Sequence, residues 1–421
     1  MSTWHAPSAA EPVNAKVRPP GSKSITNRAL VLAALSEEPS VITGGLEARD
    51  TLLAVTALRV LGCDISLDRT GWRVTPGSVT PESELFVDVG NSGTCMRFLP
   101  GVAALCRATV RFDGDPRVRE RPIGAMLGGL RSAGVDVSGD AAPFIVHGTG
   151  SVRGGPVVLD ASGSSQFVSG LLLSGARFDD GIEVRHEGPP VPSAPLIQMT
   201  LRMLSAAGAI VSSGSDVWRV SPGTVSLGTV HVEPDLMNTV PFLAAALVTG
   251  GTVLIPGWPA DSLQAASRIL DVLVSMGGTY SFGASGLAFS GTGTITGITA
   301  DLGDVSELAQ VLAAVAAVAS SPSVFTGLAH TRRHETDRLA ALAKELNALG
   351  GDVTELPDGL SIKPRPLSAS APFETYDDHR MVMAAAVLGL VVPGLSVPNA
   401  ETVGKTFPGF MDDWTAMLSG G

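Results

Sequence analysis

The chain has 421 residues, enough for roughly two to three domains that each bury a core of their own. A formal net charge of −11, with only two Tyr and five Trp, disfavours nucleic acid, which asks for a basic surface and stacking rings, but leaves room for small anions in a locally positive cleft. Cys63, Cys95 and Cys106 have no paired or metal-ligand spacing, the N-terminus has no basic segment followed by an apolar run, and no apolar stretch reaches the roughly 20 residues of a membrane span.

The first informative segment is Pro19-Pro20-Gly21-Ser22-Lys23-Ser24-Ile25-Thr26-Asn27-Arg28. Pro-Pro-Gly stops a short strand, Ser22 or Ser24 can cap, and Ala29 to Leu35 continues as a strong helix former. The helix start aims unpaired backbone N–H groups, Lys23 and, one turn on, Arg28 at one place, whose natural occupant is a phosphate or carboxylate. Further along, Gly90-Asn91-Ser92-Gly93-Thr94-Cys95-Met96-Arg97 again sets small residues and a hydroxyl at a helix start, where backbone can approach an anion closely. Asp113 to Ile123 is a charged loop leading to a helix, with Arg121 its candidate ligand. Ser162-Gly163-Ser164-Ser165-Gln166-Phe167 gathers neutral donors suited to a hydroxylated or phosphorylated ligand. Near the C-terminus come Arg332 to Arg338, Tyr376 to Met381 and Gly404 to Pro408, and the spacing of Glu335 and Arg338 predicts that they share a helix face.

Between these segments one pattern recurs: a helix ending in a small or apolar residue plus Gly, then a β-branched strand. It runs through Gly62, Gly134, Gly208, Gly277 and Gly350, with copies about 70 residues apart. A shorter C-terminal remnant brings the total to roughly six βαβ-like units, which an ordinary doubly wound sheet does not explain. The simplest partition is two domains of three units each, divided near Val230 to Asp235. The strand upstream of Pro19 then goes with the C-terminal half, giving one domain of residues 1–17 and 233–421, a second of 18–232, and an active site in the cleft between them.

A P-loop is excluded because Gly21-Ser22-Lys23-Ser24 lacks the upstream Gly and the Gly-Lys pair, and His334-Glu335 has no second His at the zinc-protease spacing. No metal and no nucleotide cofactor are expected. Taken in order, Gly21 to Arg28, Asn91 to Arg97, Arg119 to Ile123, Ser164-Ser165-Gln166, Glu335-Thr336-Asp337-Arg338, Asp378-His379-Arg380-Met381 and Lys405-Thr406-Phe407-Pro408 closely resemble the 5-enolpyruvylshikimate-3-phosphate synthases over essentially the whole chain.

That resemblance implies a two-domain inside-out α/β barrel and transfer of enolpyruvyl from phosphoenolpyruvate to the 5-hydroxyl of shikimate 3-phosphate, a step of aromatic amino acid biosynthesis. It implies Lys23, Gly93, Thr94, Arg121, Arg338, Arg380 and Lys405 around phosphoenolpyruvate, and Ser24, Arg28, Ser164, Ser165, Gln166, Ser193, Glu307 and His334 around shikimate 3-phosphate. Glu335, assisted by Lys23, is the expected proton donor and acceptor, and Glu307 the expected base for the hydroxyl. Glu307 stands where relatives commonly have Asp, His334 where many have Lys and Leu196 where some have Tyr. With Gly93 and Thr94 retained, sensitivity to glyphosate is expected. The further expectations are a bacterial, cytoplasmic, monomeric enzyme with no nucleic-acid or membrane partner. The alternatives are the sister transferase acting on UDP-N-acetylglucosamine, whose reactive Cys is missing from the Asp113 to Pro122 loop, and a non-catalytic phosphometabolite binder, which has no use for Glu335.

Overall fold

The computed structural model describes residues 3–80 and 82–419, and the chain divides into two compact units, Gly21–Val232 and Met1–Pro20 with Glu233–Gly421. In the first unit the helices are α1 (Lys23–Leu35), α2 (Arg49–Val60), α3 (Gly93–Ala104), α4 (Gly124–Ser132), α5 (Ser165–Gly175) and α6 (Pro195–Ala206). In the second they are α7 (Leu236–Thr249), α8 (Ala266–Ser275), α9 (Ala309–Ala317), α10 (Arg338–Ala348), α11 (His379–Gly389) and α12 (Phe410–Leu418).

The odd and even helices differ in burial, and the difference follows from composition. α3, α9 and α11 are buried along their whole length, and α1, α5 and α7 along nearly all of it. Past their polar N-terminal turns their sequences are mostly Ala, Leu and Val with small residues between, so these stretches are apolar on every side. The even helices keep one apolar stripe and face solvent with the rest. Within the first unit α1, α3 and α5 pack against one another, and within the second α7, α9 and α11 do the same. Each unit is therefore helix inside and sheet outside, the reverse of a barrel with a strand core.

Among the described residues five four-stranded sheets share one topology: two parallel strands, then an antiparallel hairpin. In the first unit Ser83–Asp88 runs parallel to Ala108–Asp113, followed by Phe144–His147 and Asp136–Ser138. Gly155–Leu159 begins the second such sheet, and in the third Thr229–His231 returns to lie parallel to Ser40–Thr43. In the second unit Asn14–Lys16 pairs in parallel with Thr252–Ile255, and Thr299–Asp301 with Ser323–Thr326. The remaining sheet has only Thr3–His5 and Ser396–Pro398, antiparallel, which is the short sixth unit.

The repeated glycine has a common cause. Gly62, Gly134, Gly208, Gly277 and Gly350 each follow an even helix with positive φ, where a Cβ is disfavoured, and each turns the chain into the hairpin. Among the described residues no helix is long and apolar enough to cross a membrane: the apolar stretches around Phe242 and Met381 are α7 and α11, core helices.

Candidate active-site residues

Each unit gathers polar side chains at the first turns of its helices, where unpaired N–H groups are exposed, and in the loops that lead into them. In the first unit the first turns of α1, α3 and α5 are capped by Ser22, Ser92 and Ser164, which accept from the backbone N–H of Ile25, Cys95 and Gln166. They are adjacent: Asn27 Nδ2 donates to Thr94 Oγ1 (3.2 Å), and Arg97 Nη1 to Gln166 Oε1 (2.8 Å). Ser22, not Ser24, is the cap of α1.

Lys23 opens α1 with Nζ 3.7 Å from Asp50 Oδ2, a buried carboxylate in the first turn of α2. Arg28 is 1 % exposed. Four of its five N–H groups go to neutral acceptors: Nε to Thr200 Oγ1 (2.7 Å), Nη1 to the Ser24 carbonyl (3.0 Å), and Nη2 to Ser169 Oγ (3.3 Å) and the Leu196 carbonyl (3.1 Å). Its plane also lies over the Phe98 ring. Burial without a carboxylate partner among the described residues lowers its pKa to about 9, so an anionic ligand has a cation waiting for it. Arg121 is buried, donating to Asn91 O (2.8 Å) and Asn91 Oδ1 (3.2 Å). Arg117 and Arg119 in the same loop instead pair with Glu120 and Asp113 at the surface.

Gly93 is the first residue of α3, and a Cβ there would sit 2.6 Å from Arg121 Nη2 and 3.1 Å from Arg97 Nη1. The helix start thus comes against the guanidinium only because no side chain intervenes. Ser165 is buried at the start of α5, and Gln166 has its amide oxygen occupied by Arg97, which leaves its NH2 group as the end that can donate to a ligand. Ser193 takes φ of +51° just before α6, an unusual conformation for serine.

In the second unit Glu335 is the centre. Its side chain, 8 % exposed, receives Lys405 Nζ on Oε1 (2.5 Å) and Arg338 Nη2 on Oε2 (3.1 Å). Arg338 in turn makes a two-pronged contact with Asp378, Nε to Oδ2 at 2.8 Å and Nη2 to Oδ1 at 3.2 Å. Burial opposes the charge on Arg338, but Asp378, Glu307 and Glu335 outweigh it and raise its pKa above the ordinary value. Glu307, in a 3-10 turn leading to α9, accepts from Arg380 Nε at 2.9 Å and lies 3.7 Å from Arg338. The expectation that Glu335 and Arg338 share a helix face is corrected: Asp337 caps α10 through the Ala340 N–H, so the helix begins at Arg338 and Glu335 lies in the loop before it.

His334 Nδ1 accepts from Arg338 Nη1 at 3.0 Å, which fixes the neutral tautomer with the proton on Nε2. Burial, then the neighbouring Arg338 cation, holds its pKa well below the ordinary imidazole value. His330 stands beside it, ring centroids 5.6 Å apart, with Nε2 2.9 Å from Ser306 Oγ. Burial lowers its pKa from 6.5 to about 4, against the pull of Glu307. Because the folded value is the lower one, the unfolded chain takes up this proton first on acidification. The contribution is therefore complete above pH 6.5 and is lost progressively as pH falls toward 4, amounting to about 3 kcal/mol at about 1.4 kcal/mol per pKa unit. His330→Asn, which keeps a partner for Ser306, should flatten the fall of Tm between pH 7 and 5. Parallel Tm curves for the two proteins would rule this out.

Sequence reasoning missed Asp50, Asn238 and the role of Asp378. Asp378 was visible as part of a motif, but nothing local marks Asp50 or Asn238 as neighbours of Lys23 and Arg380.

A family model for EPSP synthase (3-phosphoshikimate 1-carboxyvinyltransferase) matches residues 7–414. A 3-phosphoshikimate 1-carboxyvinyltransferase of Mycobacterium ulcerans is 50% identical over 428 aligned positions, covering 100% of this chain and 99% of that protein. Two solved structures of EPSP synthase from Acinetobacter baumannii superpose with TM-scores of 0.79 at 24% identity, one over 99% of this chain and 98% of its own, the other over 97% of each, and these show the likeness of fold.

Proposed function

The chain belongs to the EPSP synthase family, and we propose that the two side-chain groups described above divide the labour of its reaction. The enzyme transfers the enolpyruvyl group of phosphoenolpyruvate to the 5-hydroxyl of shikimate 3-phosphate and releases phosphate. The 5-hydroxyl oxygen adds to C2 of phosphoenolpyruvate while C3 takes up a proton, giving a tetrahedral intermediate. Loss of a proton from C3 and departure of phosphate then restore the double bond.

Glu335 carries the C3 proton in both directions: phosphoenolpyruvate draws Lys405 and Arg338 onto its own anionic groups, and the freed carboxylate takes up a proton with the assistance of Lys23, gives it to C3 and takes it back at the elimination. The observation behind this assignment is a poorly exposed carboxylate engaged by both of those cations. Glu307 takes the proton of the 5-hydroxyl. Lys23, Arg121, Arg338, Arg380 and Lys405, with Gly93 and Thr94, hold phosphoenolpyruvate. Its phosphate and carboxylate suit charge-assisted hydrogen bonds of roughly 1.5–3 kcal/mol each. Ser24, Arg28, Ser164, Ser165, Gln166, Ser193 and His334 hold shikimate 3-phosphate, where the buried and otherwise uncompensated charge of Arg28 favours an anion. His334 contributes a neutral donor where a lysine would contribute a charge. A reducing, cytoplasmic setting accords with three free thiols.

Phosphate release from phosphoenolpyruvate, measured with shikimate 3-phosphate and separately with UDP-N-acetylglucosamine, tests the reading. Release with the first acceptor alone supports it, and release with the second alone would replace it by the sister reaction. Gly93→Ala is expected to raise KM for phosphoenolpyruvate about tenfold with little change for shikimate 3-phosphate, because the new methyl displaces Arg121 from its bonds to Asn91. Equal changes in both KM values would remove Arg121 from the phosphoenolpyruvate set.

A further inference from the structure

We propose that Asn238 is a positioning residue that sets the spacing between Arg380 and the Lys405 loop, and so tunes the capture of phosphoenolpyruvate. This rests on the reading that Arg380 and Lys405 hold that substrate. Asn238 is the third residue of α7 and is fully buried. Its backbone is fixed by the helix cap, its N–H donating to Asp235 Oδ1 at 2.9 Å. Both ends of its carboxamide are used: Oδ1 accepts from Arg380 Nη1 at 3.2 Å, and Nδ2 donates to the carbonyl of Thr406 at 3.1 Å.

Thr406 follows Lys405 directly, and the Lys405 ammonium is on Glu335. One planar amide therefore joins the first turn of α11 to the end of the Ala400–Lys405 3-10 turn, two segments separated in sequence. The chemistry is specific to an amide. A carboxylate of the same size keeps the acceptor for Arg380 but cannot donate to Thr406, and adds a charge that competes with the substrate for the guanidinium. An apolar isostere loses both bonds and leaves Arg380 held on that side by the Met237 carbonyl at 3.1 Å and the Met383 sulfur. The Glu307 contact on Nε then draws the guanidinium out of register with Lys405.

The experiment compares Asn238→Leu, Asn238→Asp and Arg380→Lys with the wild type in the phosphate-release assay, with calorimetric binding of shikimate 3-phosphate as the control. The expected result for both Asn238 variants is a KM for phosphoenolpyruvate raised roughly tenfold or more, the loss of one hydrogen bond to a charged group, with shikimate 3-phosphate affinity within about twofold of wild type. Unchanged KM for phosphoenolpyruvate in Asn238→Leu overturns the inference, and so does an equal loss for both substrates, the mark of a merely structural role. Should Asn238→Leu fail to fold, Asn238→Asp, of the same size, decides by the same readings. If Arg380→Lys itself leaves KM for phosphoenolpyruvate unchanged, the reading of the site fails. If Arg380→Lys raises it and the Asn238 variants do not, only the role of Asn238 fails.

Discussion

Glu335→Gln should lower kcat by about 10²–10⁴ while leaving KM for phosphoenolpyruvate unchanged or lower. The substitution keeps the shape of the side chain and removes its capacity to give and take a proton. It also removes the negative charge between Lys405 and Arg338, so two cations that the carboxylate had engaged turn to an anionic substrate. That combination separates proton transfer from binding: a residue that only held substrate would raise KM and leave kcat nearly intact. Steady-state phosphate release at saturating shikimate 3-phosphate measures both constants. Turnover at the wild-type rate would pass the proton to another group, and Glu307, a more exposed carboxylate beside Arg338 than Asp378, would be the next to substitute.

Asp378→Asn should destabilise the protein by about 3 kcal/mol, the low end of what breaking a buried ion pair costs. The pair is dry, with side-chain exposures of 1% for Arg338 and 0% for Asp378. Asparagine still caps α11, the role Asp378 plays by accepting from the Arg380 N–H, so the loss belongs to the charge. Glu335 and Glu307 remain as partners of Arg338, which keeps the cost from rising further. Asp378→Ala adds the lost cap, about 1 kcal/mol more. A urea midpoint lowered in the order wild type, Asn, Ala is the expected series; a midpoint for Asn equal to wild type would show that the pair carries no net stability. Since Arg338 also bonds Glu335, kcat should fall along the same series.

Much of the fold was legible in the chain because it is local or periodic. The five glycines after helices could be read from the need for positive φ, and the starts of α1, with Ser22 or Ser24 as its cap, and of α3 from the preference for small residues and hydroxyls there. The misplaced start of α10 shows the limit of spacing rules: Glu335 and Arg338 are at helical separation, yet Asp337 between them is the stronger cap and ends the loop there. Local rules compete, and the better hydrogen bond decides.

By itself the sequence determined the repeat, the glycines that end its helices, the apolar helix bodies and the identity of the candidate site segments, since each depends on residues within a few positions of one another. Only the tertiary structure decided which charges meet. Arg338 finds Asp378 across 40 residues, Glu335 finds Lys405 across 70, and Asn238 reaches Arg380 across 142. The reason is physical: a buried charge is tolerated only where the packing of distant helices brings it an opposite charge or a fixed dipole, and that packing belongs to the folded unit.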